Sequence, residues 1–142
     1  MLEFRNLKIE DEQELLVLWK ARLTRRRSPR WDIISFVNDS NCYGIILEDK
    51  AKGKIAGFGA IIFYQTPMEG LIGTIQEVAV AHEYGGQGWG RKLIEELIAI
   101  ARQKKATSIW LTSNAKRAEA IHIYLTEGFI KKDTNFFVKE LN

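Results

Sequence analysis

The chain has 142 residues, of which 46% are apolar and 27% charged, with two prolines and a net charge of +3. That length suits one ordinary domain and is too short for two independent cores; the composition is that of a soluble globular chain, not a disordered or fibrous one. The longest apolar run, Ile55 to Tyr64, is about half of what a membrane-spanning helix needs, so no membrane role is expected.

The first residues, Met1 to Asn6, are mixed in charge and followed by acids, unlike a secretory signal or transit peptide. The single cysteine, Cys42, cannot close an internal disulfide, and no Cys/His cluster offers metal ligands. A reducing cytoplasm and no metal are therefore expected. The balance of 21 bases against 18 acids is too even to argue for nucleic acid in bulk. The charge is unevenly spread, however: residues 21–30 sum to +5 and residues 91–106 to +3 on a nearly neutral body. Each patch reads either as a solvated face or as a ligand surface, and neither is interleaved with aromatics as a nucleic-acid module would be.

In chain order, residues 2–8 alternate like a short strand. Glu10 to Leu23 carries Leu15, Leu16, Leu18, Trp19 and Leu23 at helical spacing, with acids in its first turn where the helix dipole favours them. Arg25 to Arg30 interrupts this pattern, and a second short helix is expected from Asp32 to Val37. Tyr43 to Glu48 and Lys54 to Tyr64 read as strands joined by a hairpin turn at Asp49 to Gly53, and Leu71 to Val80 as a further strand. Arg91 to Ala101 continues a helix with Leu93, Ile94, Leu97, Ile98 and Ala101 on one stripe. Ser108 to Leu111 reads as a short buried strand, Ala115 to Thr126 as a helix and Phe136 to Glu140 as a closing strand. Antiparallel hairpins followed by a β-α-β-α-β tail define an α/β or α+β chain with a mixed central sheet.

The chemistry concentrates at residues 78–92, where a strand ends at Val80 and glycines 85, 86, 88 and 90 lead straight into a helix. Glycines let the backbone come close to a ligand and adopt positive φ without steric cost. The helix start leaves its first amide hydrogens unpaired and carries partial positive charge, so together these features form an anion cradle for which phosphate is the usual guest. Arg91 and Lys92 add charge beside it. The nucleoside-triphosphatase loop is excluded, because Gly85 and Gly90 are followed by Arg91 and Lys92 with no hydroxyl for magnesium. The dinucleotide fingerprint also fails: counted from Gly86 and Gly88, its last glycine would fall at Arg91.

At this point the residues resemble the GNAT superfamily of acyl-CoA-dependent N-acetyltransferases. The family signature, Q/R-x-x-G-x-G/A after a strand of the form E-V-x-V, stands here as Gly85-Gly-Gln-Gly88-Trp-Gly90 after Glu77-Val-Ala-Val80. A second signature, Ala and Tyr four apart and then Gly-Phe, stands as Ala120, Tyr124, Gly128 and Phe129. The resemblance covers essentially the whole chain. It departs in having Gly85 where Gln or Arg is usual, and Arg117 where an Asn is often found, with Asn114 one helical turn earlier.

The resemblance implies a single GNAT domain over residues 1–142, with a mixed, mostly antiparallel sheet of six to seven strands flanked by about four helices. It implies acetyl-CoA as co-substrate and a primary amine of a small molecule, peptide or protein as acceptor. The diphosphate would sit on Gly85, Gly86, Gln87, Gly88, Trp89, Gly90 and Arg91, with side-chain contacts from Asn114 and Arg117. The pantetheine arm would add like a strand along Val78, Ala79 and Val80. Tyr124 would be the general acid, since a phenol of pKa about 10 can give a proton to a thiolate whose conjugate acid lies near 8.5, or hydrogen-bond to it. Glu77 would be the base, drawing a proton from the ammonium through water; alternation puts Ile75, Glu77 and Ala79 on one strand face and Gln76, Val78 and Val80 on the other.

His82, His122 and Cys42 read as structural or surface residues; His122 lies about 200° around its helix from Tyr124. Trp89 is expected to pack inward. In the family the segment around Arg22 to Val37 forms one wall of the acceptor pocket, and here it carries Arg25, Arg26, Arg27 and Arg30. An arginine cluster suits an acceptor bearing carboxylate or phosphate and would repel polyamines or aminoglycosides. Protein N-terminal or lysine acetylation, and a non-catalytic acyl-CoA sensor, are the competing functions; the presence of Tyr124 favours an enzyme. A monomer or a homodimer is compatible with the family.

Overall fold

A computed structural model describes residues 1–23 and 28–141. Its contacts fall into two compact units, Met1–Thr112 and Ser113–Asn142.

The first unit is built on one five-stranded sheet in the order β1(Leu2–Asn6), β2(Cys42–Asp49), β3(Lys54–Thr66), β4(Gly70–Val80) and β5(Ser108–Trp110). The first three pairings are antiparallel, and β4–β5 is parallel, with Ile72 opposite Ser108 and Thr74 opposite Trp110. The β2–β3 hairpin turns where expected: Asp49 Oδ1 accepts from the Lys52 amide at 3.3 Å, and Gly53 takes φ +61°. The helices α1(Glu12–Arg22) and α2(Ile33–Asn38) lie on one face, where Leu15, Leu18 and Ile33 pack with Ile46, Phe58 and Ala60. Asp32 starts α2 by accepting from the amides of Ile34 and Ser35. On the other face, α3(Trp89–Gln103) buries Leu93, Ile94, Leu97 and Ala101. It comes so close that a Cβ on Gly59 would meet Leu97 at 3.1 Å.

Aromatic edges fill the α1–α2 side, with Trp19 against Phe58 at 5.3 Å and against Trp31 at 5.4 Å. Ile46 is fully enclosed. Ile46→Val removes one methylene from a closed core and should cost about 0.5–1.5 kcal/mol of unfolding free energy, read as a lower urea midpoint at unchanged slope.

Two irregularities matter for function. Between Leu47 and Glu48 the β2–β3 register slips by one, leaving Ala56 as the extra residue; its carbonyl accepts from the Ala81 amide at 2.8 Å. Within β4, Phe58 pairs with Ala79 but Ala60 pairs with Gln76, so Glu77 and Val78 together oppose Gly59. This is a β-bulge, and Glu77 occupies it at φ +56°. The bulge overturns simple alternation along β4. Ile75 pairs with Ile61 and Ala79 with Phe58, three residues apart on β3, so Ile75 and Ala79 face opposite sides while Gln76 and Ala79 share one.

The second unit holds α4(Ala118–Thr126). It starts three residues later than expected because Asn114 holds a turn: its side-chain oxygen accepts from the Lys116 amide at 2.9 Å, and its carbonyl from the Arg117 amide at 3.0 Å. Residues 129–141 form no strand, so the expected closing strand at Phe136–Glu140 is absent and the sheet has five strands among the described residues rather than six or seven. β-propensity marks a segment that fits a ladder but does not supply the partner that makes it a strand.

Candidate active site

β4 ends at Val80 and runs through a single 3₁₀ turn, His82–Tyr84, into the glycine loop and α3. Gly86 and Gly88 sit at φ +71° and +85°, and a Cβ on either would project into open space. Gly88 is the N-cap of α3, so no side chain caps the first amides of that helix. Those of Trp89 and Gly90 lie in the first turn, at the positive end of the helix dipole. Gly85 differs, because its amide donates to the His82 carbonyl at 3.1 Å and closes the turn. Residues Gly85 to Gly88, including Gln87, are exposed. The glycines, the bare helix start and the open volume together fit a diphosphate.

Trp89 packs inward as expected, edge-on to Phe4 at 6.2 Å, while Lys92 lays its ammonium over the Trp89 ring, 4.4 Å from the centroid. Upstream, the β4–β5 ladder ends at the Thr74–Trp110 pair, and β4 continues beyond it to Val80. Val78, Ala79 and Val80 lie in that stretch, immediately beyond the bulge at Glu77. An extended ligand arm with amide groups can pair there as an added strand.

In the second unit, Tyr124 is half-buried on α4 and meets Phe129 edge-on at 5.9 Å. Burial pushes its phenol above the usual value, against a smaller opposing effect of Arg117. Arg117 is the N-cap of the same helix, and the Asn114 side-chain oxygen is committed to its own turn. Of the arginine cluster, Arg30 is exposed, and Arg25, Arg26 and Arg27 lie outside the described residues. His122 is exposed, and Cys42 is half-buried at the start of β2 with its thiol pushed up by burial. Among the described residues no group of three His, Cys, Asp or Glu side chains is placed to hold a metal, and no helix is long and apolar enough to cross a membrane.

Three features had no clear signal in the sequence. The bulge at Glu77 is one. The second is a buried hydrogen bond from Tyr84 to Asp49, 35 positions apart. The third is the contact between Arg22 and His82, which gives His82 a structural partner. The only hint of the first was Gly59, a residue without a side chain facing the distortion.

Comparison with known proteins agrees with this architecture. The model of the acetyltransferase (GNAT) family matches residues 5–129, and the chain belongs to that family. Its members use acetyl-CoA as co-substrate. Streptothricin acetyltransferase of Streptomyces lavendulae is 37% identical over 79 residues, 56% of this chain and 40% of that protein. The [ribosomal protein bS18]-alanine N-acetyltransferase of Escherichia coli strain K12 is 38% identical over 56 residues, 39% of this chain and 38% of that protein. The matches thus span about two fifths of these curated relatives. Glucosamine-6-phosphate N-acetyltransferase from Arabidopsis thaliana shares the fold at TM-score 0.85 and 20% identity, over 100% of this chain and 99% of that one. An acetyltransferase of Trypanosoma brucei does so at TM-score 0.83 and 22% identity, over 99% and 100%.

Proposed function

We propose that this protein transfers an acetyl group from acetyl-CoA to a primary amine by direct attack in a ternary complex. The observation that carries the reading is the pair of left-handed glycines, Gly86 and Gly88, opening the start of α3, which no side chain caps, just downstream of β4. Acetyl-CoA supplies the activated acyl group as a thioester. The loop from Gly85 to Arg91 binds the diphosphate through the backbone amides that follow Gly85 and the helix dipole, with Arg91 adding charge. The backbone of Val78 to Val80 holds the pantetheine arm in register. Glu77, at the bulge, takes a proton from the acceptor ammonium through a water molecule, leaving the neutral amine as nucleophile. Tyr124 gives its proton to the departing thiolate; a phenol held protonated by burial keeps that proton across neutral pH. Arg117 and Asn114 contribute further contacts to the co-substrate.

The acceptor is a small-molecule or peptide amine. The run Arg25, Arg26, Arg27 and Arg30 favours one that also bears a carboxylate or phosphate, since guanidinium groups pair with such anions in two-point fashion. The test is release of CoA thiol across a panel of amino-sugar phosphates, amino acids, peptides with free N-termini or lysines, and spermidine. Anion-bearing amines are expected to give at least about a tenfold higher kcat/KM than spermidine, a difference of about 1.4 kcal/mol in transition-state binding. Strong preference for spermidine would defeat the anionic assignment. Acetyl-CoA binding without turnover on any amine would favour the acyl-CoA sensor.

A further inference from the structure

The 3₁₀ turn that delivers the chain into the glycine loop is fastened at each of its three residues to a different element. His82 lies 2.8 Å from Arg22 Nη1 at the end of α1, and since a guanidinium only donates, the imidazole accepts. Glu83 pairs with Lys54 at 2.5 Å, at the start of β3. Tyr84 donates its hydroxyl to Asp49 Oδ2 at 2.6 Å, at the end of β2. The first two contacts are exposed, and exposed pairs contribute little. The third is buried, with Tyr84 and Asp49 only 7% and 5% exposed. The carboxylate raises the Tyr84 phenol to about 12, and the hydroxyl in turn holds Asp49 below the usual carboxylate range.

Asp49 therefore serves two structures. One oxygen closes the β2–β3 hairpin turn on the Lys52 amide, and the other holds the aromatic ring that immediately precedes Gly85. This matters because Gly85 to Gly88 is exposed and rich in glycine, the residue that loses most freedom on ordering. A loop of that kind cannot set its own geometry. Its amides converge only if both ends are fixed, and α3 fixes one of them.

We infer that the buried Tyr84–Asp49 hydrogen bond is the positioning pair for the other end, holding the glycine loop in the conformation that receives the diphosphate of acetyl-CoA. The inference rests on the acetyltransferase reading above. Neither side chain needs to touch the co-substrate; the pair lowers the ordering cost of the loop and so acts on co-substrate affinity rather than on the acyl-transfer step.

Tyr84→Phe keeps the ring and removes the hydroxyl. It should weaken acetyl-CoA binding by calorimetry about tenfold and raise KM for acetyl-CoA to match, with kcat at saturation changed less than about twofold. Amide hydrogen exchange should speed up at residues 85–90 and stay unchanged in the middle of β3. Because this variant also strands a buried carboxylate, Tyr84→Phe/Asp49→Asn is measured beside it. The neutral amide should recover thermal stability while affinity stays weak. Affinity that recovers along with stability, or a Tyr84→Phe protein that melts lower but binds like wild type, would overturn the inference and reduce the pair to a structural contact. Failure of the wild-type protein itself to bind acetyl-CoA would overturn the acetyltransferase reading and this inference with it; normal wild-type binding beside an unaffected Tyr84→Phe would overturn the inference alone.

Discussion

Gly88→Glu is expected to abolish acetyl-CoA binding while leaving the protein folded. At φ +85° the new residue carries a backbone cost of about 1–2 kcal/mol, modest against a whole domain's stability. Its side chain would emerge into open space at the start of α3, and a carboxylate there suits the helix dipole, which offsets part of that cost. The same carboxylate would stand where a diphosphate must lie and would repel it. The expected loss is ~10³-fold or more in Kd, about 4 kcal/mol, measured by calorimetry with circular dichroism as the control for folding. Gly88→Ala separates the two contributions: it carries the backbone cost without the charge and should bind with intermediate affinity. Binding by Gly88→Glu within tenfold of wild type would mean that the diphosphate lies elsewhere.

Tyr124→Phe is expected to lower kcat by roughly 10²-fold, about 2.7 kcal/mol of barrier, with little change in the affinity for acetyl-CoA. The phenylalanine ring keeps the edge-on contact with Phe129, so packing is retained and only the hydroxyl is lost. The split between kcat and KM is informative, because a group acting only on the leaving thiolate stabilises the transition state and not the bound ground state. Single-turnover kinetics would show the same loss in the chemical step. A kcat within threefold of wild type would remove Tyr124 from the acid role and leave it as a packing residue.

Much of the fold was legible because apolar periodicity and turn residues are local signals. The helices starting at Glu12, Ile33 and Trp89 and the hairpin at Asp49 to Gly53 fall within a few residues of where spacing puts them. The passage from glycine loop to helix was legible for the same reason, since glycine spacing before a helix is a one-dimensional pattern. What escaped was non-local. Nothing in the letters Glu77-Val-Ala-Val80 announces that Glu77 will take positive φ; that depends on the register of β3, eighteen positions away at Gly59. The Tyr84–Asp49 pair escaped for the same reason, since it joins the 3₁₀ turn to the end of β2 across 35 positions. The closing strand at Phe136 to Glu140 failed in the opposite sense. Its residues have the right propensity, but a strand is a property of a pair.

The bulge in β4 has a consequence for solubility. A straight strand with unsatisfied amides and carbonyls is a template on which other extended chains can stack, and fibrils grow from such templates. The distortion at Glu77 bends β4 out of plane, so it offers poor footing to a long flat strand. The kink therefore guards the chain against stacking on its own kind.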